Sequence, residues 1–411
     1  MQEGTKTTPL EGIRVLDFSI MLAGPYCARL LADVGADVIK IEPPAGDPQR
    51  ALMNLLARPG SPGANPFVEI PNRGKRSMTI DLAHAEGHAL LLELAATADV
   101  FLTSYLPEVR ARLGIDQADL RAVNPRIVYA SGSGWGARGP MANTGGFDLA
   151  AGWASSSMAF KMSRDGGEPM FQPAAFFDLQ GANTIVGAIG TALFHRERTG
   201  TATEVDVSLL NVGMWTLSPD IMAGPLVGAI PAGSRAAAPN PLVNSYPTAD
   251  GRWLYLVCLQ SDRYWDEFCA VIERPDLAAD ERFTSMMTRA KNAAACVAEI
   301  EAAFLTRPLA DWRTRLEGFT GVWAAALTPA EVHEHVQVEA NGYLPELTSQ
   351  SGARFRLPAP PMQFGGEAPA PRAPAPELGQ HTEEILLELG RDWDGIGKLR
   401  DSGALGGSTG G

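Results

Sequence analysis

Three aspartates within residues 143–182 are the side chains of this sequence best suited to covalent chemistry on an acyl group. Asp148 and Asp178 each follow a phenylalanine, and Asp165 lies in the polar, glycine-rich sequence R-D-G-G-E-P. An aspartate carboxylate can attack an activated carbonyl carbon and form a covalent intermediate. Glycines beside it let a ligand approach the backbone closely and offer amide N–H donors.

The same aspartates also have purely structural interpretations. Asp-Gly is a common turn dipeptide, so Asp165 is compatible with an ordinary turn. Asp178 precedes a segment with helical spacing, where it is compatible with a cap or a charge in the first helical turn. Local sequence alone therefore leaves both interpretations open.

The composition is that of a globular protein and excludes several function classes. Of the 411 residues, 45% are hydrophobic and 20% are charged, and this length predicts two domains, or one domain with a large insertion. The net charge of −13 argues against a surface for duplex nucleic acid, which requires clustered Lys and Arg. No apolar run reaches the roughly 18 residues that a membrane-spanning helix needs.

The cysteines and histidines predict neither a disulfide framework nor a metal site. Cys27, Cys258, Cys269 and Cys296 show no C-x-x-C pairing and no ligand spacing with the six histidines. Apolar surroundings for the first three predict buried, reduced thiols. Because the N-terminus also lacks an apolar signal segment, we expect a cytoplasmic location.

The N-terminal part of the chain predicts a βαβ unit. Strand patterns at 13–18 and 38–42 flank a helical pattern at 25–33. Pro25 falls in the first helical turn and Gly35 lies just beyond the last, as helix-capping preferences favour. Such a unit implies parallel strands joined by a right-handed crossover.

Later segments continue the alternation of strands and helices. Strand patterns at 99–103 and 127–136 alternate with helical segments, which is typical of an α/β fold. A dinucleotide is not expected, because A-G-P at 23–25 replaces the G-x-G-x-x-G fingerprint. From residue 246 onward, a hairpin built on Asp-Gly and several amphipathic helices predict a smaller α+β domain.

Changes in pattern set the expected domain boundaries. A proline-rich segment with little helical signal predicts a linker before the smaller domain. The expected organisation is a large α/β domain at 1–218, a linker at 219–245, a small α+β domain at 246–326, a linker and return to the large domain at 327–400, and a flexible tail at 401–411.

Several short motifs follow one another in a specific order. They are P-L-E-G-I-R-V-L-D-F at 9–18, A-G-P at 23–25, L-L-A-D-V-G-A-D-V-I-K-I-E at 30–42, N-R-G-K-R-S at 72–77, N-P-R-I-V-Y-A-S-G-S-G-W-G at 124–136, G-F-D at 146–148, D-G-G-E-P at 165–169 and H-R-E-R-T-G at 195–200. Together they resemble the class III CoA-transferases, a superfamily that also contains the α-methylacyl-CoA racemases.

The resemblance implies an enzyme that moves CoA from an acyl-CoA thioester to a carboxylic acid. It implies no permanently bound cofactor, since coenzyme A enters as a thioester substrate. It also implies a large Rossmann-like parallel-sheet domain and a smaller α+β domain in an interlocked, ring-like homodimer.

The resemblance further implies a set of residues that contact CoA. They are Met21, Leu22, Ala23, Lys40, Pro43, Asn72, Arg73, Lys75, Ser104, Arg112 and Ser133. Basic side chains in this set are chemically suited to the phosphates of CoA. Formyl-CoA transferase has Arg at the position of Pro43 and Lys at the position of Ser133, and these differences weaken formyl-CoA and oxalate as substrates.

In the transferase branch, the family nucleophile matches Asp165. The resemblance implies attack on the donor thioester, an aspartyl-acyl anhydride, and then an aspartyl-CoA thioester. Backbone N–H groups of Gly166 and Gly167 would hold the oxyanions. Asp178 aligns with the carboxylate of the carnitine branch and is the alternative nucleophile.

Two other functions stay open at this point. In the racemase branch, Asp148 matches a catalytic aspartate, but Phe147 replaces the motif histidine and no histidine lies between Glu108 and Pro140. Proton exchange by two bases needs a second base, so the sequence favours transfer over racemase or isomerase activity. The other alternative is a catalytically silent, CoA-binding partner subunit.

Overall fold

The computed structural model of the chain describes residues 8–51, 65–163, 167–228, 234–366 and 373–406. These residues separate into two units. The first contains the described residues of 1–160, 170–229 and 337–411, and the second contains those of 161–169 and 230–336. No helix within the described ranges is long and apolar enough to cross a membrane.

Six parallel strands form the sheet of the first unit. They are β1 (Arg14–Phe18), β2 (Asp37–Glu42), β3 (Arg76–Thr79), β4 (Val100–Thr103), β5 (Val128–Ser133) and β6 (Glu204–Ser208). Their spatial order is β3-β2-β1-β4-β5-β6, and every neighbouring pair is parallel. The sequence prediction of an α/β fold with a parallel sheet is therefore confirmed.

Helices connect the strands and continue beyond the sheet. The first unit begins with α1 (Ala23–Asp33), α2 (Pro66–Asn72), α3 (Ala85–Ala96), α4 (Pro107–Leu113) and α5 (Gln117–Val123). A π-helical segment, Asp148–Ala154, follows, and then come α6 (Met158–Met162), α7 (Phe176–Thr199), α8 (Leu209–Thr216) and α9 (Ser218–Val227).

The sheet is buried on both faces because its strands are apolar at successive positions. On β1, Val15 and Leu16 are both fully buried but belong to different hydrophobic clusters. Val15 packs in the cluster that contains residues of α1 and α7, whereas Leu16 packs with residues of α3 and α5. Neighbouring strand residues point to opposite faces, so each face has its own layer of helices.

The predicted linker at 219–245 overlaps a regular helix, and its role as a linker stays a prediction. Helix α9 spans ten residues, Ser218–Val227, and has Pro219 in its first turn and Pro225 inside it. Proline is favoured in a first turn, where its missing N–H leaves no helical bond unmade. Proline content alone therefore did not exclude a helix here.

An antiparallel sheet and several helices form the described part of the second unit. The strands are β7 (Val243–Pro247), β8 (Trp253–Val257) and β9 (Trp323–Ala325), in the order β7-β8-β9. The helices are α10 (Ser261–Val271), α11 (Pro275–Ala279), α12 (Met286–Lys291), α13 (Ala293–Phe304) and α14 (Leu309–Leu316). A short 3-10 turn, Arg235–Ala237, precedes β7, and α15 (Pro329–His333) follows β9.

The hairpin predicted on Asp-Gly is present in the second unit. Strands β7 and β8 pair antiparallel, and Gly251 in the turn has a φ of 73°, which favours glycine. Trp312 is fully buried in the adjacent core and donates from Nε1 to the carbonyl of Phe304 at 2.8 Å. This unit contains the described residues of 161–169 and 230–336, and the narrower predicted domain at 246–326 stays a prediction.

The C-terminal part of the chain returns to the first unit. Its elements are α16 (Val336–Ala340), β10 (Glu346–Thr348), β11 (Arg354–Arg356), α17 (Thr382–Glu388) and α18 (Trp393–Asp401). Ile385, Leu386 and Ile396 are buried in the same hydrophobic cluster as Leu16. The two ends of the described chain therefore complete one core.

Candidate active site

A cavity of about 370 Å³ lies at the carboxyl ends of strands β1, β4 and β5 in the first unit. Strands β1 and β4 are neighbours, and the strand order turns back between them. Loops that follow two such strands diverge to opposite faces of the sheet and leave a crevice for ligands. This cavity is therefore the candidate active site.

Strand ends, glycine-rich loops and one helix face form the wall of the cavity. The β1–α1 connection contributes Ile20, Met21 and Leu22, and the start of α1 contributes Ala23 and Gly24. The ends of β4 and β5 contribute Ser104, Leu106, Gly132, Ser133 and Gly134. The remaining wall comprises Gly145, Gly146, Phe147, Asp148, Asp178, Gly181, Ile185, Val207 and Leu209.

Helix α7 presents Asp178 to the cavity because of its helical period. Asp178, Gly181 and Ile185 are spaced by three and four residues, which places them on one face of the helix. At Gly181 an added Cβ would lie 3.0 Å from Leu209 Cδ2, so the glycine allows close packing there. The helix predicted to follow Asp178 begins earlier, at Phe176, and Asp178 therefore lies in its first turn.

Tight packing fixes the start of helix α7. Phe177 is fully buried, and an added Cβ at Gly152 would lie 2.6 Å from its Cβ. The rings of Phe176 and Phe177 meet edge to face at 5.1 Å. Ala175, just before the helix, has a left-handed φ of 61°, which is strained for a residue other than glycine. These contacts hold the backbone that carries Asp178.

Burial strongly perturbs the acidity of Asp178. The pKa of Asp178 is raised to about 7. The larger cause is the loss of solvent around its carboxyl group, and the smaller cause is the negative charge of Asp148. The N-terminal turn of a helix favours a negative charge, but here burial outweighs that effect. A carboxylate in this state is half ionised near neutral pH and is less stabilised than an exposed aspartate.

Asp148 is the second acidic group on the cavity wall. It is the first residue of the π-helical segment and is half-buried. Burial raises its pKa, although Gln172 and the backbone N–H groups of Leu149 and Phe177 partly stabilise the carboxylate. Its Oδ2 atom is buried and accepts no hydrogen bond from the part of the chain that the structure describes.

The loop after β1 has an unusual backbone that a buried ion pair supports. Met21 has a left-handed φ of 65° and lines the cavity. Its backbone N–H donates to Asp47 Oδ1 at 3.2 Å, and Lys40 Nζ lies 2.9 Å from Asp47 Oδ2. Lys40 Nζ also donates to the carbonyl of Ser19 at 3.1 Å. The ion pair therefore holds the strand end and the loop together.

Five of the residues predicted to contact CoA line the cavity. They are Met21, Leu22, Ala23, Ser104 and Ser133. Two predicted catalytic aspartates, Asp148 and Asp178, lie on the same wall. The third, Asp165, and its neighbour Gly166 lie outside the described residues, and Gly167 is an exposed residue of the second unit.

Three basic residues predicted to contact CoA have their charges engaged inside the fold. Lys40, Arg73 and Lys75 are buried, and each pairs with a carboxylate. Lys75 Nζ, for example, donates to Asp17 Oδ2 at 2.7 Å. Their contact with CoA remains a prediction, but the structure uses these charges to hold core elements together.

The other predicted CoA contacts lie off the cavity wall. The amide oxygen of Asn72 is buried and accepts a hydrogen bond from Lys75 at 3.0 Å. Pro43 is half-buried at the end of β2, and Arg112 is exposed on α4. Of these, only Arg112 has a charged group open to solvent.

Sequence patterns missed the apolar part of the wall. Ile20, Leu106, Ile185, Val207 and Leu209 belong to it, and none lies in a polar motif. The helical spacing from Asp178 was the available signal for Ile185. No group of three or more His, Cys, Asp or Glu residues suited to a metal ion occurs among the described side chains.

Comparison with known proteins decides the family. The family model described as CoA-transferase family III matches residues 10–382. The chain belongs to CoA-transferase family III. The family assignment predicted from the sequence is thus confirmed, and this class III CoA-transferase is an enzyme of the transferase class.

Individual relatives cover nearly the whole of this class III CoA-transferase. The (R)-2-hydroxy-4-methylpentanoate CoA-transferase of Clostridioides difficile is 30% identical over 393 residues, which are 96% of this chain and 98% of the relative. The succinyl-CoA:glutarate CoA-transferase of Mus musculus is 31% identical over 406 residues, which are 97% of this chain and 90% of that relative. A crystal structure of a CAIB/BAIF family protein from Brucella suis matches with a TM-score of 0.81 and 28% identity, covering 93% of this chain and 100% of that one.

Proposed function

We propose that this enzyme transfers CoA between an acyl-CoA thioester and a carboxylic acid through a covalent intermediate on Asp178. The observation that carries the proposal is the placement of Asp178 on the wall of a cavity at the sheet's carboxyl edge. Its pKa of about 7 supports the same role, because a half-buried carboxylate that is poorly stabilised is a better nucleophile.

The reaction begins with attack of a carboxylate oxygen of Asp178 on the thioester carbonyl carbon. The carbon–sulfur bond breaks, CoA leaves as a thiolate, and a mixed aspartyl-acyl anhydride forms. The thiolate then attacks the aspartyl carbonyl carbon, which releases the donor acid and leaves an aspartyl-CoA thioester. The acceptor acid reverses these two steps and regenerates the Asp178 carboxylate.

The apolar part of the wall supports the chemistry by limiting water. Both intermediates hydrolyse if water reaches them, and exclusion of water prevents that side reaction. The cavity wall includes Met21, Leu22, Ala23, Ser104 and Ser133, and we assign to these residues the contact with the thioester end of CoA. Oxyanion stabilisation by Gly166 and Gly167 stays part of the proposal.

Reduction of the trapped intermediate identifies the nucleophile. Borohydride converts an aspartyl-CoA thioester to homoserine, which peptide mass spectrometry locates after incubation with a panel of acyl-CoA donors. We expect homoserine at position 178 in the wild type and no adduct in Asp178→Asn. Homoserine at position 165 instead would make Asp165 the nucleophile, as first predicted from the sequence.

The same incubation in deuterium oxide separates the alternative functions. Exchange of the α-proton of an acyl-CoA without any enzyme-bound adduct would show a racemase or isomerase that uses Asp148 as a base. Binding of CoA with neither adduct nor exchange would show a catalytically silent partner subunit. Transfer of CoA to an added acid requires the adduct and supports the transferase.

A homodimer is the proposed assembly. Helix α9 has no buried residue among those described, although it is largely apolar. Trp215 and Leu226 are each 80% exposed, and Met222 is 73% exposed. Apolar side chains at this exposure are typical of surfaces that a second molecule covers. Analytical ultracentrifugation at decreasing concentration is expected to show a dimer, and a fully folded monomer would contradict the interlocked arrangement.

The cellular location is proposed to be the cytoplasm. All four cysteines are free and buried in the described structure, which is typical of a reducing compartment. Cell fractionation with an antibody against the chain tests the location, and recovery in an extracellular or membrane fraction would contradict it.

A further inference from the structure

The chemistry of the cavity wall carries information about the acyl group that enters it. Apolar side chains line it from three directions: Ile20 and Leu106 from the strand ends, Ile185 from helix α7, and Val207 and Leu209 from β6 and the start of α8. The charged groups on the described wall are the two carboxylates, and no Lys, Arg or His is among its described residues.

This arrangement discriminates against an acyl group that carries a second carboxylate. A charge brought into such a cavity loses solvation and needs a cationic partner, which the described wall does not offer. It would also face the negative charges of Asp148 and Asp178, and like charges close together repel strongly where water is excluded. An uncharged chain meets neither cost and gains by burying its apolar surface.

Resting on the proposed transfer reaction, we propose that the acyl group of this enzyme is apolar and carries no charge beyond its own carboxyl function. Aliphatic and aromatic monocarboxylic acids belong to this class, whereas oxalate, succinate and glutarate do not. The cavity volume of about 370 Å³ is at the low end of the range for small-molecule sites, which suits a short acyl chain next to the thioester.

Isotopic self-exchange tests this specificity without knowledge of the physiological acid pair. Each unlabelled acyl-CoA is incubated with the ¹³C-labelled form of its own acid, and the label entering the thioester pool is measured by mass spectrometry. The thioester carbon–sulfur bond of one molecule breaks and an equivalent bond forms on the labelled acid, so the exchange is energetically neutral. Donors are used in pairs of equal carbon number: butyryl with succinyl-CoA, pentanoyl with glutaryl-CoA, and hexanoyl with adipoyl-CoA.

We expect the uncharged member of each pair to exchange faster, by about 100-fold in kcat/KM. Equal or faster exchange with the dicarboxylic member would overturn the specificity while leaving the transferase reaction intact. Absence of exchange with every donor would instead overturn the transferase reaction, and the specificity with it.

A variant of the wall provides a second measurement. Leu106→Lys places an ammonium group on the wall, and we expect the ratio within each pair to fall by about 10-fold. Leu106→Met is the matched control, since it keeps an apolar side chain of similar size and is expected to leave the ratio unchanged. If both variants change the ratio equally, the charge of the wall does not set the specificity.

Discussion

Lys40 Nζ lies 2.9 Å from Asp47 Oδ2, and the other oxygen of Asp47 accepts the backbone N–H of Met21 at 3.2 Å. Both side chains of the ion pair are buried. Lys40, which the sequence resemblance implied to be a CoA contact, therefore supports the backbone of the cavity wall. Burial alone would lower the pKa of Lys40, but Asp17, Asp47 and Glu42 outweigh it and raise the pKa, so the charge is retained.

Lys40→Met is expected to reduce stability more than it reduces CoA affinity. Removing the ammonium leaves Asp47 as an uncompensated buried charge, and the free energy of unfolding should fall by about 3–5 kcal/mol. Chemical denaturation monitored by circular dichroism measures this change. The Met21 loop loses its support as well, so kcat should fall together with the stability.

Arg112→Met is the matched control for Lys40→Met, because Arg112 is exposed and was also predicted to contact CoA. A substitution at an exposed site should change the free energy of unfolding by no more than about 0.5 kcal/mol. If Arg112 pairs with a CoA phosphate, KM for acyl-CoA should rise by about 3- to 10-fold. The reverse pattern, with Lys40→Met stable and Arg112→Met unfolded, would contradict both assignments.

The rate of transfer should rise with pH through the titration of Asp178. Attack requires the ionised carboxylate, so kcat/KM is expected to increase with pH and level off above an inflection near pH 7, since the pKa of Asp178 is about 7. Asp148→Asn removes a negative charge that contributes to this pKa. The pKa should fall, and the inflection in the pH profile should move to lower pH.

Burial is the larger cause of the raised pKa, so the inflection in Asp148→Asn should still lie well above 3.8, the ordinary value for aspartate. A thermal melt of the variant serves as the control for folding. Loss of activity at every pH in a folded Asp148→Asn protein would instead assign Asp148 a direct chemical role, as the racemase alternative requires.

Asp178→Asn should abolish transfer and at the same time stabilise the free enzyme above pH 7. The folded-state pKa of Asp178 is raised from 3.8 to about 7, so the folded state binds this proton more tightly than the unfolded chain does. The protonated Asp178 side chain contributes fully to the free energy of unfolding below pH 3.8, its ordinary pKa. This contribution is lost as the pH rises through the pKa of Asp178 in the folded state. Neutral asparagine removes that loss, and the gain at pH 8 should be about 1–3 kcal/mol.

Denaturation curves of the wild type and Asp178→Asn at pH 5 and pH 8 measure this effect. The difference between the two proteins should grow with pH. A difference that is independent of pH would mean that the Asp178 carboxyl group is well solvated and that its pKa is not raised. The raised pKa would then no longer support Asp178 as the nucleophile.

Periodicity predicted the sheet well because its strands are short and apolar. The predicted strand at 38–42 corresponds to Asp37–Glu42, and the predicted helix at 25–33 corresponds to Ala23–Asp33. Local signals of this kind survive folding because they reflect backbone preference and simple alternation. The cavity residues Ser104 and Ser133, in contrast, were implied by the resemblance to the class III CoA-transferases and not by local periodicity.

Charged residues were harder to place because their partners are distant in sequence. Lys75 pairs with Asp17, 58 positions away, so its burial cannot be inferred from its own motif, N-R-G-K-R-S. Asp178 was similarly ambiguous, because local sequence shows neither where α7 begins nor that Asp178 and Asp148 line one cavity. Tertiary contacts therefore decide which polar residues line a cavity and which hold the core.

Gly134→Ala is expected to disrupt the cavity, whereas Gly145→Ala is not. Both glycines line the cavity, but an added Cβ at Gly134 would lie 2.6 Å from Gly146 Cα and 2.8 Å from its carbonyl oxygen. Backbone atoms cannot move aside as a flexible side chain can, so the loop that carries Phe147 and Asp148 must shift. We expect a loss of about 1–3 kcal/mol in the free energy of unfolding and a larger fractional loss of kcat/KM.

An added Cβ at Gly145 meets no atom within 4 Å. Gly145→Ala is therefore the control that replaces a cavity glycine without a steric clash. Denaturation midpoints and the isotopic exchange rates of the two variants are compared with the wild type. The free energy of unfolding of Gly145→Ala should stay within about 0.5 kcal/mol of the wild type, the range typical of surface substitutions. Its exchange rate should stay close to that of the wild type. If Gly134→Ala behaves like Gly145→Ala, the close approach of Gly134 and Gly146 does not position Asp148, and the pH profile of transfer should not depend on that loop.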